Sequence, residues 1–145
     1  EEFMTSVKQV LDSKGHKIWS IEPNASVLNT IKLMADKKIG ALLIMENDQL
    51  VGIVSERDYA RKVILKGRAS DDTPVKDIMT REIIYATPEN SVEDCMELMT
   101  EKRIRHLPVL DGDSVAGVLS IGDLVKSIIA EQQFKIEQLE NYITA

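Results

Sequence analysis

Two seven-residue stretches decide the fold of this chain: residues 52–58 read Gly-Ile-Val-Ser-Glu-Arg-Asp and residues 117–123 read Gly-Val-Leu-Ser-Ile-Gly-Asp. Their offset is 117 − 52 = 65 residues, and the sequence matches itself at this offset, without a gap, beyond both stretches. Identities recur at apolar, proline and serine positions: Ile18 with Ile83, Pro23 with Pro88, Ser26 with Ser91, Leu33 with Leu98, Met34 with Met99, and Ile39 with Ile104. The chain therefore carries an internal duplication.

Each copy begins with a pattern that predicts a short strand and then a helix. The apolar runs at residues 18–21 and 83–86 both come shortly before a proline, which is typical of a brief strand with a hard stop. Ser26 and Ser91 then stand where a helix N-cap is expected. Apolar residues follow both serines at the three- and four-residue spacing of a helix.

The second half of each copy predicts two strands and another helix. Turn-prone tetrads at residues 46–49 and 111–114 each separate two apolar runs, which indicates a β-hairpin. A further helix is predicted to begin at Ser55 in one copy and at Ser120 in the other. Each copy is thus β-α-β-β-α. The fold class is α/β (α+β), with two repeats packed in pseudo-twofold symmetry, because neither repeat is large enough to bury a core alone.

Composition sets the predicted boundaries along the chain. Residues 4–65 form the first repeat with a short N-terminal helix, and residues 75–130 form the second repeat. Residues 66–74 are a linker that contains Gly, Ser, Asp and Pro as helix and strand breakers. Residues 131–145 are a helical extension. We interpret the three residues before Met4 as a remnant of expression.

The helix that starts at Ser120 is predicted to run through this extension. Apolar residues recur along it at three-, four- and seven-residue steps: Leu124, Ile128, Ile129, Ile136, Leu139 and Ile143. One small domain cannot cover a stripe of this length, so we expect part of it to pack against another chain.

Composition and charge argue against several classes of function. The 145 residues carry 18 basic and 24 acidic side chains, and a formal net charge of −6 does not favour broad binding of nucleic acid. The apolar stretches are too short to span a membrane. Cys95 is the single cysteine, and with His16 and His106 it cannot build a usual zinc site, so no metal is expected. A reducing, cytoplasmic location is expected.

The Ser-x-x-Asp ends at residues 55–58 and 120–123 have two interpretations. In a capping box, the serine accepts a hydrogen bond from an early helical N–H group and the carboxylate reaches back to the N-cap. In a ligand site, a helix start after a strand attracts a phosphate, and the carboxylate accepts both hydroxyls of a ribose. The two interpretations are compatible, because the serine is able to serve in either.

The chain resembles a pair of CBS domains, named after cystathionine β-synthase. The features that carry the resemblance are the duplication, the twin Gly-x-x-Ser-x-x-Asp ends, and residues 104–109, which read Ile-Arg-His-Leu-Pro-Val. The resemblance covers about residues 15–130. It implies a Bateman module with two clefts that bind adenosine-containing ligands such as AMP, ATP, NAD(H) or S-adenosylmethionine. It also implies that each cleft combines the Ser/Asp end of one repeat with the strand starts of the other.

Carried over residue by residue, the resemblance implies two sets of ligand-binding residues. One cleft would use Ser55, Arg57, Asp58, Thr80, Ile104, Arg105 and His106. The other would use Gly15, Lys17, Ile39, Gly40, Ala41, Ser120 and Asp123. In this assignment the aspartates hold ribose hydroxyls, the serines take phosphate or sugar oxygens, and the two isoleucines flank the adenine.

Three side chains keep an alternative interpretation. Arg105 suits a bidentate grip on a phosphate or is a solvated charge. His106 contacts the phosphate or is a histidine satisfied within the fold. Trp19 stacks on a base or is a half-buried strand residue. Because Gly40 and Ala41 of one copy stand where Arg105 and His106 stand in the other, unequal affinities are expected.

The resemblance favours a non-catalytic sensor that binds an adenine nucleotide (AMP, ATP or NAD(H)), forms a homodimer and signals to a separate effector protein. The alternative is a structural or interaction module with vestigial clefts that works through its C-terminal helix. An enzyme is least favoured, since only His106 with Ser120 or Asp123 is available and no third group is placed beside them.

Overall fold

The structure is a computed structural model that describes residues 5–144, so the three residues interpreted as a remnant of expression lie outside the described range. The short helix at Glu56–Tyr59 continues directly into a π-helical turn at Ala60–Ile64, and a 3-10 turn follows later at Val75–Asp77. The elements in chain order are α1 (Val7–Lys14), β1 (Ser20–Ile21), α2 (Val27–Lys37), β2 (Ala41–Glu46), β3 (Gln49–Ser55), α3 (Glu56–Tyr59), α4 (Val92–Lys102), β4 (His106–Asp111), β5 (Ser114–Ser120) and α5 (Ile121–Thr144).

The described chain packs as two compact units. The first-repeat unit comprises residues 18–84, and the second-repeat unit comprises the described residues up to Lys17 together with those from Tyr85 onward. Helix α1 therefore packs with the second repeat, although it precedes the first repeat in the sequence. The boundaries drawn from composition describe positions along the chain and stay predictions.

The first-repeat unit is built on a three-stranded sheet in the order β1-β2-β3. Strand β1 pairs parallel with β2, and β2 pairs antiparallel with β3, with Ala41 opposite Ser55. Asn47 and Asp48 connect β2 to β3 with φ angles of 52° and 64°. Two successive residues with positive φ are what a tight type I′ hairpin turn requires, and Asn and Asp tolerate this conformation well.

Helix α2 covers this sheet and supplies part of the core. Ser26 caps it by accepting a hydrogen bond from the Asn29 backbone N–H at 3.0 Å, as the sequence predicts. Trp19 is half-buried and packs against the core, and the Lys37 ammonium lies 4.2 Å from the centroid of its ring. The buried apolar cluster of this unit consists of Val27, Met34, Leu42, Ile44, Val54, Val63, Val75, Ile78 and Met79.

The second-repeat unit has a two-stranded sheet, β4-β5. The predicted strand at residues 83–86 is wrong, because only Ala86 makes a bridge, parallel to Val109. The Thr87 backbone N–H donates instead to Asn90 Oδ1 at 2.8 Å, which turns the chain before a ladder is able to form. Cys95 is buried, as expected for a core residue, and this burial raises the pKa of its thiol to about 11.

A second internal match, at a different offset, relates the segments that precede the two repeats. Residues 73–79 read Thr-Pro-Val-Lys-Asp-Ile-Met and residues 5–11 read Thr-Ser-Val-Lys-Gln-Val-Leu, an offset of 73 − 5 = 68. Their backbones make equivalent hydrogen bonds: the Val75 N–H donates to Ala25 O, and the Val7 N–H donates to Asn90 O, both at 2.8 Å. The copies therefore differ by 68 − 65 = 3 extra residues after residue 11.

Helix α5 confirms the prediction of a long C-terminal helix. Its 24 residues run without a break from Ile121 to Thr144, a length of about 36 Å. Leu124 is fully buried, whereas Ile136, Leu139 and Ile143 are 52 %, 62 % and 78 % exposed. The apolar stripe thus continues beyond the part of the helix that its own unit covers.

Candidate functional site

Both Ser-x-x-Asp ends form capping boxes. The Ser55 N–H donates to Asp58 Oδ2 at 2.9 Å, and the Asp58 N–H donates to Ser55 Oγ at 3.3 Å. In the second repeat, the Ser120 N–H donates to Asp123 Oδ2 at 2.8 Å, and the Asp123 N–H donates to Ser120 Oγ at 3.2 Å. Each carboxylate is therefore fixed in position by its own backbone at the start of a helix.

The two hairpins place the strand starts beside these ends. In the β2-β3 pair Ala41 lies opposite Ser55, and in the β4-β5 pair His106 lies opposite Ser120. Backbone contacts tighten both corners, because the Glu56 N–H donates to Gly40 O at 3.1 Å and the Ile121 N–H donates to Arg105 O at 2.9 Å. Each repeat thus gathers its own strand start and its own aspartate at one end of the hairpin.

Left-handed residues shape the chain just before each strand start. Lys38 and Arg103 both have φ near 58°, and each ends the preceding helix. The Ile39 N–H then donates to Met34 O and the Ile104 N–H donates to Met99 O, both at 3.0 Å. A depression of about 330 Å³ lies at this corner of the first-repeat unit, lined by Ile31, Met34, Ala35, Lys38, Ile39, Gly40 and Glu56.

The carboxylate of Asp58 has further partners within the first-repeat unit. Its Oδ1 atom lies 3.1 Å from Lys62 Nζ and accepts a hydrogen bond from Thr80 Oγ1 at 3.5 Å. The predicted site residues Ser55, Asp58 and Thr80 are thus brought together. Lys62 is not among the residues predicted from the sequence, although its position four residues after an aspartate in a helix was a usable signal.

Strand β3 also holds the Thr80 segment by backbone pairing. The Thr80 N–H donates to Ile53 O at 2.8 Å, and the Ile53 N–H donates to Thr80 O at 3.0 Å. A Cβ on Gly52 would overlap Met79 Sδ and lie 3.2 Å from Thr80 O, so the absence of a side chain there allows this segment to approach. These contacts place the Thr80 hydroxyl next to Asp58.

The carboxylate of Asp123 is held by a lysine from another helix. Lys14 Nζ lies 2.6 Å from Asp123 Oδ2 and also donates to Val118 O at 2.6 Å. Partial burial acts to raise the pKa of the Asp123 carboxyl, but hydrogen bonds from Lys14 and from the Ser120 backbone outweigh it, and the pKa lies below its ordinary value. Lys14 is not among the residues predicted from the sequence.

The neighbouring predicted residues Gly15 and Lys17 follow the end of α1. Gly15 has φ 112° and ψ 158°, a conformation that suits glycine, and its N–H donates to Leu11 O at 2.7 Å. Lys17 is exposed, as are Arg57 and Arg105. The prediction that each cleft combines the two repeats stays a prediction, as do the ligand roles of these residues.

His16 contacts a backbone carbonyl of β5, the strand that Lys14 also contacts. Its Nδ1 atom lies 2.9 Å from Ala116 O, and its Nε2 atom lies 3.1 Å from Asp12 Oδ1. Both neighbours are acceptors, so the ring satisfies both when both nitrogens carry hydrogen, which is the imidazolium form. The hydrogen bond to Ala116 O and the one to Asp12 raise the pKa of His16 above its ordinary value.

A groove of about 730 Å³ runs between α1 and α5 in the second-repeat unit. It is lined by Thr5, Gln9, Val10, Ser13, Lys14, Asp123, Lys126, Ser127, Ala130, Glu131 and Phe134. At its far end Thr5 Oγ1 donates to Glu131 Oε1 at 3.3 Å. The groove therefore reaches the Asp123 carboxylate from the side on which Lys14 stands.

Two features are absent from the described residues 5–144. None of the helices in this range is both long enough and apolar enough to cross a membrane. Within the same range, no group of three or more His, Cys, Asp or Glu side chains is arranged to hold a metal ion.

Comparison with known proteins identifies the repeated unit. The family model of the CBS domain matches residues 7–65 and again residues 75–130. A CBS domain-containing protein of Arabidopsis thaliana, CBSX3, described as mitochondrial, is 39 % identical over 149 residues, which cover 96 % of this chain and 72 % of the relative. The CBS domain-containing protein YhcV of Bacillus subtilis is 31 % identical over 121 residues, which cover 83 % of this chain and 84 % of the relative.

Solved structures give the same result. A protein with CBS domains from Burkholderia ambifaria, described as a candidate signal-transduction protein, superposes with a TM-score of 0.85 at 53 % identity and covers 88 % of this chain and 96 % of its own. A hexameric CBS-CP12 protein from bloom-forming cyanobacteria superposes with a TM-score of 0.76 at 28 % identity, covering 86 % of this chain and 68 % of its own. The chain therefore belongs to the CBS-domain family and consists of two such domains in tandem.

Proposed function

We propose that this protein is a non-catalytic regulatory module that binds adenine nucleotides (AMP, ATP or NAD(H)) at its two Ser-x-x-Asp ends. The observation that carries the proposal is the pair of carboxylates, Asp58 and Asp123, each fixed by its capping box at the start of a helix that follows a strand. A fixed carboxylate accepts two vicinal hydroxyls without first losing conformational freedom. A ribose offers such a pair.

A third capping box provides a matched control for this proposal. The Ser91 N–H donates to Asp94 Oδ2 at 3.2 Å, and the Asp94 N–H donates to Ser91 Oγ at 3.0 Å, so the local hydrogen bonds resemble those of the two candidate ends. This box opens α4, however, and does not follow a strand of a hairpin. A general effect of altering a capping aspartate is therefore separable from an effect on a ligand.

The experiment is calorimetric titration of AMP, ATP, NAD and NADH into the wild-type protein and into Asp58→Asn, Asp123→Asn and Asp94→Asn. An amide keeps one oxygen for the serine N–H but lacks the second acceptor that a diol needs. We expect the first two substitutions to weaken binding of at least one nucleotide about tenfold or more, since a hydrogen bond to a charged group contributes about 1.5–3 kcal/mol. Asp94→Asn should bind as the wild type does. If the wild-type protein bound none of the four nucleotides, the proposal would be refuted.

We further propose that the module acts as a homodimer and signals to a separate effector protein, with the cytoplasm as its site of action. The exposed apolar residues Ile136, Leu139 and Ile143 on α5 support association, because monomeric proteins rarely leave such a stripe open. The cyanobacterial relative, whose assembly is described as hexameric, shows that a related protein associates.

This observation also favours the second candidate function, an interaction module that works through α5 alone. Light scattering on Ile136→Lys, Leu139→Lys and the exposed control Gln133→Lys tests whether association depends on α5. Together with the nucleotide titration, it separates the nucleotide-binding module from the interaction module. We expect the first two to reduce the molecular mass of the particle and the control to leave it unchanged. If nucleotide binding is absent and association depends on α5, the second candidate replaces the first. A monomeric wild-type protein would refute the dimer.

A further inference from the structure

The two aspartates differ in where their cationic partner comes from. Asp58 is paired with Lys62, which stands four residues later in the same helical segment, at 3.1 Å from Oδ1. Asp123 is paired with Lys14, which belongs to a different helix and lies 109 positions away in the sequence. The partner of Asp123 is therefore supplied by tertiary packing, and its position depends on how α1 ends.

The extra residues after position 11 explain why this lysine reaches the site. In the first-repeat unit, Ile53 O accepts the backbone N–H of Thr80 at 2.8 Å. The equivalent carbonyl in the second repeat, Val118 O at 53 + 65 = 118, accepts Lys14 Nζ at 2.6 Å instead. The three-residue insertion thus replaces a backbone N–H group beside the aspartate with a charged side chain.

The ammonium group lies on one oxygen of the carboxylate that a ligand would use. Asp123 Oδ2 receives both the Ser120 N–H, at 2.8 Å, and Lys14 Nζ, at 2.6 Å. The carboxylate side chain is 18 % exposed and the lysine side chain 38 % exposed, so the pair is only partly screened by water. A ribose hydroxyl that approaches this carboxylate has to compete with an existing charged hydrogen bond.

We propose that Lys14 is a counter-ion gate at the second Ser-x-x-Asp end: it occupies the Asp123 carboxylate until a ligand displaces it, and it makes this end select ligands that carry a phosphate. The inference rests on the proposed nucleotide binding and adds to it a selectivity residue. A neutral nucleoside that takes Asp123 leaves the ammonium without its anion. A nucleotide brings a phosphate that restores a partner for the same charge.

The groove between α1 and α5 gives the displaced side chain a place to go. Lys14 stands on its wall together with Ser13, Lys126 and Ser127, and the groove encloses about 730 Å³. Lys14 is therefore able to leave Asp123 by a change of side-chain rotamer, without separation of α1 from β5. The gate acts through one side chain, while Val7 and Leu11 stay buried.

The test isolates the second end by working in an Asp58→Asn background. Adenosine and AMP are titrated calorimetrically into Asp58→Asn alone and into the same protein with Lys14→Met, Lys14→Arg or Lys8→Met. Methionine keeps the length and apolar stem of lysine and removes the charge, and arginine keeps the charge. Lys8 is the matched control, because it lies on the same helix and pairs with Asp12 at 3.2 Å.

We expect Lys14→Met to raise the affinity for adenosine about fivefold, which corresponds to an ion pair of about 1 kcal/mol. The affinity for AMP should change less or fall, so that the preference for AMP over adenosine decreases. Lys14→Arg should keep the wild-type preference, and Lys8→Met should change neither affinity. An effect of Lys8→Met equal to that of Lys14→Met would attribute the change to net charge and overturn the gate.

Failure of the gate is distinguishable from failure of nucleotide binding. If Asp58→Asn binds AMP, and Lys14→Met leaves the adenosine affinity unchanged, the gate is overturned while the proposed function stands. If neither ligand binds any of these Asp58→Asn proteins, including the one without the lysine charge, the gate is overturned, because removal of the counter-ion has not opened the second end. The proposed function is then decided separately, by the titration of the four nucleotides into the wild-type protein.

Discussion

The close approach of α1 to β5 leads to a quantitative prediction at Gly117. A Cβ at this position would lie 2.7 Å from Leu11 Cδ2 and 3.2 Å from Leu11 Cδ1. Carbon atoms in contact prefer about 3.5–4.0 Å, so Gly117→Ala forces a displacement of about 1 Å. Leu11 is 1 % exposed, so its side chain is surrounded by other protein atoms, and a shift of Leu11 displaces them as well. The helix must therefore move away from the strand, or the core must deform.

The magnitude follows from this overlap. Extra methyl groups in a packed core usually cost about 1–3 kcal/mol of the free energy of unfolding. For a chain of this size, this corresponds to a decrease of roughly 3–9 °C in the melting temperature. Leu11→Ala removes the obstructing side chain and is expected to cost about 2–5 kcal/mol by itself, because it leaves a cavity.

The assay is a double-mutant cycle, followed by circular dichroism during thermal and urea unfolding. Gly117→Ala combined with Leu11→Ala should lower the free energy of unfolding by about 1 kcal/mol or more less than the sum of the single substitutions. The reason is that removal of the Leu11 side chain also removes the overlap with the new methyl group. Gly122→Ala is the control, because a Cβ at this position would lie 3.6 Å from Ser120 Oγ, an ordinary contact distance; this substitution should be neutral or stabilising. Additivity of the two substitutions to within about 0.5 kcal/mol would refute the packing argument.

Three further predictions concern the same unit. Because the pKa of His16 is raised in the folded state, its contribution to stability is present below its unfolded pKa near 6.5 and is lost as pH rises through the higher folded pKa. Amide hydrogen exchange in α1, corrected for its intrinsic pH dependence, should therefore become faster across this pH range, and His16→Asn should abolish that pH dependence. Cys95, buried and with a pKa of about 11, should resist a thiol reagent at pH 8 until urea unfolds the protein, and rapid labelling of the native protein would contradict this. Gly15→Ala, at φ 112°, should lower the melting temperature by the equivalent of about 1–3 kcal/mol, and an unchanged melting temperature would show that the end of α1 tolerates another conformation.

Much of the fold was predictable because its signals are local. Ser26 and Ser91 cap their helices as the sequence indicates, since an N-cap serine acts within three residues of its own position. The turn at Asn47 and Asp48 likewise depends on the two residues that form it. The strand predicted at residues 83–86 failed because strand formation depends on a distant partner and on how Asn90 captures the Thr87 N–H.

The candidate site was predictable in its repeated part and not in the part where the copies differ. Ser55, Asp58, Ser120 and Asp123 were found because they recur at one offset. Lys14 was missed because it stands at the insertion that shifts the offset from 65 to 68, and a gapless comparison loses the match there. No local pattern indicates that a lysine at the end of one helix meets an aspartate 109 positions away.

The different lysines beside Asp58 and Asp123 show which part of a duplicated unit is free to change. The capping boxes of the two ends are nearly superimposable in their hydrogen bonds, because an Asp three residues after an N-cap Ser satisfies the helix start in either copy. The cation beside each Asp is not required by the helix, so it was able to come from the same helix in one copy and from α1 in the other. An insertion of three residues costs little in an exposed connection, since loop length affects stability only weakly. Two ends with the same acceptor geometry and different counter-ions are therefore what the proposed pair of sites with unequal selectivity requires.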